Sequence, residues 1–490
     1  TGTTEIYTLS LHDALPICSG LKTFPTSIVV TGNTAIKGSA KASLTTGTVS
    51  STSTLLLGTV PASSGIWASS AYPAADFRND QWFDINTAGR LTVEASIPAG
   101  TWLGVTSTNW NATSNWAGGS LPVTGTNVVI PSFATFKPVI SGLALPAECN
   151  NMTVNPGATM GIEPGQALTV NGELVNNGDI AIESSWVNSN GSLIVRGASS
   201  GTGTVSYRRF LREGDDTGDK HLLASPVGGQ DISLFIGAFD SRIDSVRIWK
   251  EYEGVWDRVD DGLFLSGTGY NIYQADESDG DFMFTGSLVN TASFTATSPF
   301  GLPYASRGGD PYADTPLQNA DNPISGFWTA GRGYIAGDWV NWGGGGWNLL
   351  GNPFTSAMNA DQFITENALD FDPYYQALYV YDGKNGYYRY VASIIPGYND
   401  PGIVQGGTYG SRIQAGQGFM VMANNDGVTF NFNSSMQVHN TALPLLKSAA
   451  TEDPWPGLKL NVKWGEKENM TTIVFNRSEE HTSELQSPNT

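Results

Sequence analysis

The stretch WNLLGNPF at residues 347–354 opens a segment that occurs twice in the chain. The other copy lies upstream, and this duplication is the strongest indication of the fold. The later copy continues with ALYVYDGKNGYYRYV at 377–391 and ends with IQAGQGFMVMANNDGVTFNF at 413–432. Three corresponding blocks form the earlier copy: HLLASP at 221–226, SVRIWKEYEGVWDRV at 245–259 and LSGTGYNIYQADESDGDFMF at 265–284. Repetition of a whole segment is a sequence signature of duplicated structure.

The matched residues of the two copies keep their order along the chain. They are Pro226 with Pro353, Phe235 with Phe363, Ile248 with Val380, Gly254 with Gly386, Gly269 with Gly418, and Phe284 with Phe432. Length differences fall between the blocks, where loops absorb them. The pattern predicts a duplicated antiparallel β-sandwich module, with copies at residues 207–300 and 346–445. The Gly-x-Gly near the end of each copy predicts glycines with positive φ or in close contact with a neighbouring strand.

Upstream of the copies, residues 101–206 predict a Trp-rich cap followed by a short β-solenoid. Pairs of apolar residues, the two members separated by one residue, recur roughly every eight to thirteen residues. Gly or Asn occupies most of the bends between them. These pairs are Met152/Val154, Met160/Ile162, Leu168/Val170, Ile180/Ile182 and Leu193/Val195. An ordinary β-sandwich gives similar spacing, but such short and evenly separated segments favour a solenoid.

The remaining segments complete an all-β prediction. Residues 19–100 alternate apolar and polar side chains in TSIVVTGN, TLLLGTVP and RLTVEASIP, which favours an incomplete Ig-like β-sandwich. Residues 301–345, rich in Gly, Pro and Asp, read as a long linker loop, and residues 446–476 as the start of a C-terminal region. Residues 1–17 and 477–490 resemble translated sequencing adapters, so both are left out of the fold prediction.

Composition narrows the possible functions. Only 14% of residues are charged while 58 are glycine, as expected of turn-rich β structure. The net charge of −20 argues against a nucleic-acid partner, because phosphate binding needs clustered Lys and Arg. No run of apolar residues is long enough to predict a membrane-spanning helix. Two cysteines exclude a disulfide scaffold and a cysteine-based metal site.

Two tryptophans are the candidate carbohydrate-binding residues. Trp110 and Trp116 lie in WNATSNWAGGSLP at residues 110–122, and exposed indole faces would suit the stacking of pyranose rings. The alternative is that both rings cover the open end of the solenoid, since such ends need a cap. The capping alternative is favoured because solenoids need such caps.

An acidic turn is the candidate metal site. The sequence DESDGDF at 276–282 places Asp276, Asp279 and Asp281 close together around Gly280, and Ca²⁺ takes hard oxygen ligands of this kind. The twelve-residue EF-hand pattern is missing, so a solvated acidic hairpin tip is the simpler interpretation. No other cofactor is predicted.

Basic residues and histidines give no catalytic signature. Arg208, Arg209 and Arg212 in RRFLREGDD could form an anion site, although a solvated boundary between solenoid and module is favoured. His221 and His439 have no Ser or Cys in a recognisable nucleophile motif, so both are expected to be structural. The sequence therefore predicts no enzyme.

The segments WNATSNWAGGSLP, VVIP at 128–131, GWNLLGNPF at 346–354 and IQAGQGFMVMA at 413–423 resemble the stalk regions of large Bacteroidetes surface proteins exported by the type IX secretion system. The resemblance implies the type IX machinery as a partner and a secreted or cell-surface location. It carries no catalytic residue with it. The leading hypothesis is a non-catalytic, adhesin-like structural protein, here a fragment of a larger one. The alternative is a carbohydrate-binding accessory region of a polysaccharide-degrading enzyme, with extracellular polysaccharide as its partner.

Overall fold

The regular secondary structure is nearly all β, with 47% of residues in strands and 6% in helices, which confirms the all-β prediction. The structure is a computed structural model. It describes residues 15–17, 19–185, 189–211, 220–239, 243–251, 255–274, 280–297, 334–335, 338–339, 346–372, 375–382, 387–391, 412–440, 457–464 and 467–474. Most of the predicted linker at 301–345 therefore lies outside the described residues.

The N-terminal segment forms a stack of parallel coils. Its strands are β1 (Leu15–Ile17), β2 (Leu21–Phe24), β3 (Val29–Ile36), β4 (Lys41–Leu44), β5 (Val49–Leu57), β6 (Val60–Pro61), β7 (Gly65–Ala68), β8 (Phe77–Arg78) and β9 (Arg90–Val93). Strands β1, β3, β5 and β9 pair in parallel in that order, and β2 pairs in parallel with β4. Among the described strands of this segment, the antiparallel pairs are β5 with β6 and β7 with β9.

This pairing corrects the Ig-like β-sandwich expected for residues 19–100. Immunoglobulin sheets are antiparallel, whereas each turn here returns the chain to the same face, one coil further along. Alternating side chains mark a strand with one buried face whatever the direction of its neighbour. The periodicity therefore located β3, β5 and β9 but could not give their pairing.

Residues 101–211 form a second stack of coils. After a 3₁₀ turn at Thr113–Asn115, its strands are β10 (Val128–Ile130), β11 (Val139–Ile140), β12 (Ala147–Cys149), β13 (Met152–Val154), β14 (Thr159–Ile162), β15 (Ala167–Val170), β16 (Leu174–Asn176), β17 (Asp179–Ile182), β18 (Ser184–Ser185), β19 (Ser189–Asn190), β20 (Ser192–Val195), β21 (Ser199–Ser200) and β22 (Thr204–Leu211). All but β18 and β19, which pair with each other in antiparallel, build three parallel faces, ordered β10-β13-β16-β21, β11-β14-β17-β22 and β12-β15-β20. The parallel coils of the whole chain amount to about eight turns, which confirms the β-solenoid.

The interior of the second stack consists of the predicted apolar pairs. All ten of their side chains are buried, with Met160 the most exposed at 3%. Because strand side chains alternate between faces, one pair from each strand points inward and stacks on the pair of the next coil. Cys149 occupies an inward position of β12, where burial raises the pKa of its thiol to about 12.

The two stacks contact each other through apolar side chains. Ala35 and Leu56 of the first stack share a buried cluster with Leu103 and Phe133 of the second. The Lys37 Nζ donates to the Phe133 carbonyl at 2.8 Å, and this bond ties the same surfaces together.

The duplicated segment folds as two modules of equal topology. Module 1 comprises β23 (Lys220–Leu223), β24 (Val227–Gly228), α1 (Ile232–Ala238), β25 (Ile243–Lys250), β26 (Val255–Arg258), β27 (Tyr270–Gln274) and β28 (Gly280–Leu288). The next strand, β29 (Ala292–Thr295), pairs in antiparallel with residues 429–432 of module 2. Module 2 comprises β32 (Trp347–Gly351), β33 (Ala357–Asn359), α2 (Ala360–Glu366), β34 (Leu378–Asp382), β35 (Tyr387–Val391), β36 (Arg412–Ile413), β37 (Gly418–Met422), β38 (Thr429–Phe432), a 3₁₀ turn at Ser434–Met436 and β39 (Gln437–Val438). The four-stranded sheets run β23-β27-β25-β26 and β32-β37-β34-β35, the same order of equivalent strands.

Each module packs a short helix on one face of its sheet. The matched Phe235 and Phe363 lie on α1 and α2 and are 1% and 0% exposed. Asp231 and Asn359 cap the two helices by accepting backbone N–H bonds, as N-cap side chains do.

Two further hairpins belong to the described residues. They are β30 (Tyr334–Ile335) with β31 (Asp338–Trp339), and β40 (Gly457–Trp464) with β41 (Lys467–Val474). The second hairpin lies within residues 446–476, which the sequence assigned to a C-terminal region.

Candidate functional site

The tryptophans proposed for sugar binding form a buried cluster in the first coil of the second stack. Trp110 and Trp116 are 2% and 1% exposed. Their ring centroids lie 4.6 Å apart in a T-shaped contact, and Trp102 lies 4.9 Å from Trp116. The Trp116 Nε1 donates to the Trp110 carbonyl at 2.8 Å, while the Trp102 Nε1 donates to the Phe136 carbonyl at 2.7 Å.

Burial corrects the carbohydrate-binding interpretation of Trp110 and Trp116. A stacking platform needs an exposed ring face, whereas both faces here contact protein, and both indole N–H groups have backbone partners as buried tryptophans require. The rings close the open end of the stack, which was the capping alternative. Asn115 holds the loop in place because its Oδ1 accepts from the Thr106 backbone N–H at 2.9 Å and its Nδ2 donates to the Ser107 carbonyl at 2.9 Å.

The proposed calcium ligands do not form a described site. Asp276 and Asp279 lie outside the described residues. Asp281 lies in β28, opposite Phe210 of β22, and its carboxylate is 3.4 Å from the Arg208 Nη1. In the part of the chain that the structure describes, no group of three or more His, Cys, Asp or Glu residues could hold a metal ion. The calcium hypothesis therefore stays a prediction.

A polar contact missed by the sequence joins module 2 to the solenoid. The His439 Nε2 lies 2.8 Å from the Thr169 Oγ1 of β15, and its Nδ1 lies 2.8 Å from the Ser192 Oγ of β20. Nearby, the Arg196 Nη1 donates to the Ser434 carbonyl at 2.8 Å. Burial, helped by the charge of Arg196, lowers the pKa of His439 to about 4. The imidazole is therefore neutral at physiological pH.

The contact between Ser192 and His439 attaches module 2 to the solenoid and does not form a catalytic pair. Ser192 is only 2% exposed, so no substrate carbonyl reaches its hydroxyl. Both ring nitrogens of His439 already contact hydroxyl groups, which leaves neither to be oriented by a carboxylate, as the base of a catalytic triad is. No sequence pattern could reveal the site, because His439 lies 270 residues from Thr169 and 247 from Ser192.

The two modules contact each other through reciprocal backbone pairs. Leu223 of β23 forms a β-bridge with Gln417, and Leu350 of β32 forms one with Thr268. Leu223 and Leu350 are equivalent in the two copies, as are Thr268 and Gln417, so a pseudo-twofold axis exchanges the bridges. Contacts of this kind are isologous, as in a symmetric dimer.

The Gly-x-Gly motifs serve this interface in the two ways that the sequence predicted. The first glycine of each motif has a positive φ, +85° at Gly267 and +65° at Gly416. The second lets the other module approach: a Cβ on Gly269 would lie 2.5 Å from the Leu350 carbonyl oxygen, and one on Gly418 would lie 2.8 Å from the Leu222 carbonyl carbon. Real Cβ atoms do not approach that closely.

Aromatic side chains surround the same interface. Leu222, Leu349 and Met420 form a small buried cluster, against which half-buried aromatic rings from both sheets pack. These are Trp249, Trp256, Trp347, Tyr379 and Tyr381. The Trp249 Nε1 donates to the buried Glu251 carboxylate at 2.8 Å and to the Trp347 carbonyl at 2.9 Å. The matched Tyr270 and Phe419 are core residues, 2% and 0% exposed.

The comparison with known protein families identifies a family for most of the chain. Residues 101–456 match the family described as Domain of unknown function (DUF8693). The chain belongs to this family. The DUF8693 unit thus begins at the tryptophan-closed coil, spans both modules and leaves the N-terminal stack outside. No curated protein and no solved structure matches the chain.

Within the described ranges, no helix is both long and apolar enough to cross a membrane. The α-helices in the described part of the chain, Ile232–Ala238 and Ala360–Glu366, have seven residues each, far fewer than the roughly 20 that a bilayer requires.

Proposed function

We propose that this DUF8693 chain is a non-catalytic structural segment of a larger extracellular protein, in which it acts as an adhesin-like spacer at the cell surface. The observation that supports the proposal most is that the last coil is joined to the modules on all three faces. A spacer has to transmit position, and often load, from one end to the other, which requires that its parts be connected by many hydrogen bonds.

Each of the three connections uses backbone groups of the last coil. Strand β28 of module 1 pairs with β22 over seven residue pairs from Val205–Gly286 to Leu211–Gly280. The Leu193 N–H of β20 donates to the Thr355 carbonyl at 3.1 Å, and the Thr355 Oγ1 donates back to the Leu193 carbonyl at 2.9 Å. Beside β21, the Asn290 Nδ2 donates to the Gly197 carbonyl at 2.8 Å. Strand β28 thus covers the edge of β22, and the other two contacts fix the modules to β20 and to the bend before β21.

Secretion, surface display and the type IX machinery as a partner belong to the same proposal. They are supported by the resemblance of the segments at 110–122, 346–354 and 413–423 to stalk regions of such proteins. The acidic composition, at net charge −20, suits a protein that stays dissolved outside the cell.

The experiment for this proposal uses intact cells of the source organism with an epitope inserted in the chain. A surface spacer is labelled by antibody without permeabilisation and is removed by external protease. Labelling that requires permeabilised cells would refute the surface location. Turnover of a polysaccharide by the purified chain, at a rate above that of a heat-treated sample, would refute the non-catalytic part.

A carbohydrate-binding accessory region is the second candidate, and one observation favours it. With Trp110 and Trp116 buried, the half-buried pair Trp249 and Trp256, with centroids 5.1 Å apart on one sheet face, is the better placed aromatic surface. Retention of the chain on an insoluble polysaccharide would support this candidate if Trp256→Ala abolished retention while Leu145→Ala, at a 79% exposed site on the second coil stack, left it unchanged. Absence of retention on a panel of polysaccharides would rule it out.

A further inference from the structure

Arg209 is a buried cation at the junction between the solenoid and module 1. Arg209 is 2% exposed, and it follows Val205 and Tyr207 along the inward face of β22. Directly opposite in the antiparallel pair lies Phe282 of β28, which is fully buried. Arg209 therefore extends the apolar row of the solenoid interior into an aromatic environment.

The neighbouring Arg208 shows how an arginine at this boundary is ordinarily accommodated. Its side chain points to the outer face and is 38% exposed. The Arg208 Nε lies 2.5 Å from the Glu183 Oε2, and the Nη1 lies 3.4 Å from the Asp281 Oδ2. Solvent and two carboxylates therefore balance the charge of Arg208, as expected for a surface charge run.

Arg209 has no such balance among the described residues. Its Nε and Nη1 are buried without a hydrogen-bond partner in that part of the chain. The polar group beside the guanidinium is the Tyr207 hydroxyl, which itself donates to the Gly191 carbonyl at 3.3 Å. Burial raises the pKa of Tyr207 and lowers that of Arg209. The phenol is therefore neutral, and a guanidinium remains protonated throughout the physiological range.

A buried charge without a counter-charge is strongly unfavourable, and buried N–H donors without acceptors add to the cost. We propose that Arg209 binds a small monovalent inorganic anion, of the size of chloride, at this junction. One positive charge balances one negative charge, so a monovalent ion suits the site better than a divalent oxyanion. The Nε and Nη1 N–H groups supply the donors, and the buried aromatic neighbours in the sheet, Tyr207 and Phe282, favour a compact ion.

The direct test is a crystal structure of the full chain grown in bromide, with data collected at the bromine absorption edge. The proposal predicts an anomalous peak within hydrogen-bonding distance of the Arg209 Nε and Nη1. A carboxylate of the chain seated on the guanidinium would overturn the proposal, and so would the absence of a peak there. This measurement uses the unaltered protein, so it decides the matter even if Arg209 variants fail to fold.

A second experiment, in solution, measures whether anion binding stabilises the folded chain. Thermal unfolding is followed in sodium bromide and in sodium gluconate at equal ionic strength, because gluconate is too large for the junction. Above the dissociation constant, each tenfold rise in bromide should raise the midpoint by roughly 1–3 °C through preferential binding to the folded state. Arg209→Met should lose this dependence, and Arg208→Met should keep it. Equal bromide dependence in both variants, or none in the wild type, would contradict the proposal.

Discussion

At the scale of single residues, the contact between the modules depends on positions where the side chain is very small or absent, as in alanine and glycine. Ala224 and Gly351 occupy equivalent positions, two residues before the matched Pro226 and Pro353, and they meet at the pseudo-twofold axis. A Cβ built on Gly351 would lie 2.2 Å from the Ala224 Cβ. Only one of the two copies can therefore carry a methyl group here, which is a physical reason for the two copies to differ at this position.

The variant Gly351→Ala tests this contact. Two methyl groups cannot share the space, so the modules must separate, and we expect a loss of roughly 1–3 kcal/mol in the free energy of unfolding, as for other overpacked sites. Urea denaturation measures the change. Gly125→Ala is the matched control, because a Cβ at Gly125 meets no atom within 4 Å. If both variants were equally stable, the close approach of the modules would be refuted.

A second residue-scale prediction concerns acid stability through His439. Its pKa falls from 6.5 to about 4 in the folded chain, so protons bind the unfolded state preferentially between these values. The stability that this group contributes is then complete above pH 6.5 and is lost as the pH falls towards 4, by about 3 kcal/mol. Urea denaturation at pH 7 and pH 4.5 measures the loss, which His439→Gln should reduce. An unchanged loss in that variant would contradict the assigned role.

At the scale of elements, the first coil of the second stack is closed by its own aromatic side chains. Trp102, Trp110 and Trp116 make mutual contacts at centroid distances from 4.6 to 6.4 Å. They cover the inward row that continues through β10, β13 and β16. A solenoid coil buries its interior against its neighbours, so the terminal coil needs such a plug.

Removal of one ring tests the plug. Trp116→Ala should cost about 3–5 kcal/mol of unfolding free energy, because the indole is 1% exposed and its loss leaves a cavity. Leu145→Ala, at a site 79% exposed, should change stability by less than about 0.5 kcal/mol. Thermal denaturation compares the two variants. A Trp116 variant as stable as the Leu145 variant would mean that the ring is not part of the core.

The elements also show which parts of the fold can be predicted from the sequence. Apolar pairs with Gly-rich bends identified the solenoid because its short coils repeat in the sequence, and the matched blocks identified the modules. Pairing direction in residues 19–100 was not predictable, since a strand such as β5 alternates in the same way in either arrangement. The return from β5 to β9 also spans a long interruption, residues 58–89, which hid the coil period.

Sites assembled from distant segments were not predictable either. Thr169, Ser192 and His439 are ordinary residues in their local sequences, and only the fold brings them together. Arg209 was read as part of a solvated charge run, because its neighbours Arg208 and the following acids are typical of a surface. The alternation of β22 turns one arginine outward and the next inward, which sequence composition does not register.

At the scale of the whole molecule, the DUF8693 unit is a solenoid stopped at both ends. Tryptophans close the first coil, and the modules close the last one by extending β22 with β28 and by hydrogen bonds to Leu193 of β20 and to Gly197 before β21. Because the two modules also hold each other through reciprocal bridges, neither can leave without exposing the other's strand edges. The central claim is that the second coil stack and both modules behave as one cooperative unit.

The measurement that tests this claim most directly is hydrogen exchange along a urea series, read by mass spectrometry at the level of peptides. Three peptides report on the unit: residues 192–195 of the last coil, 270–274 of module 1 and 418–422 of module 2. One cooperative unit predicts that all three lose protection at the same urea concentration. Loss of protection in either module at a clearly lower concentration than in the last coil would contradict the claim.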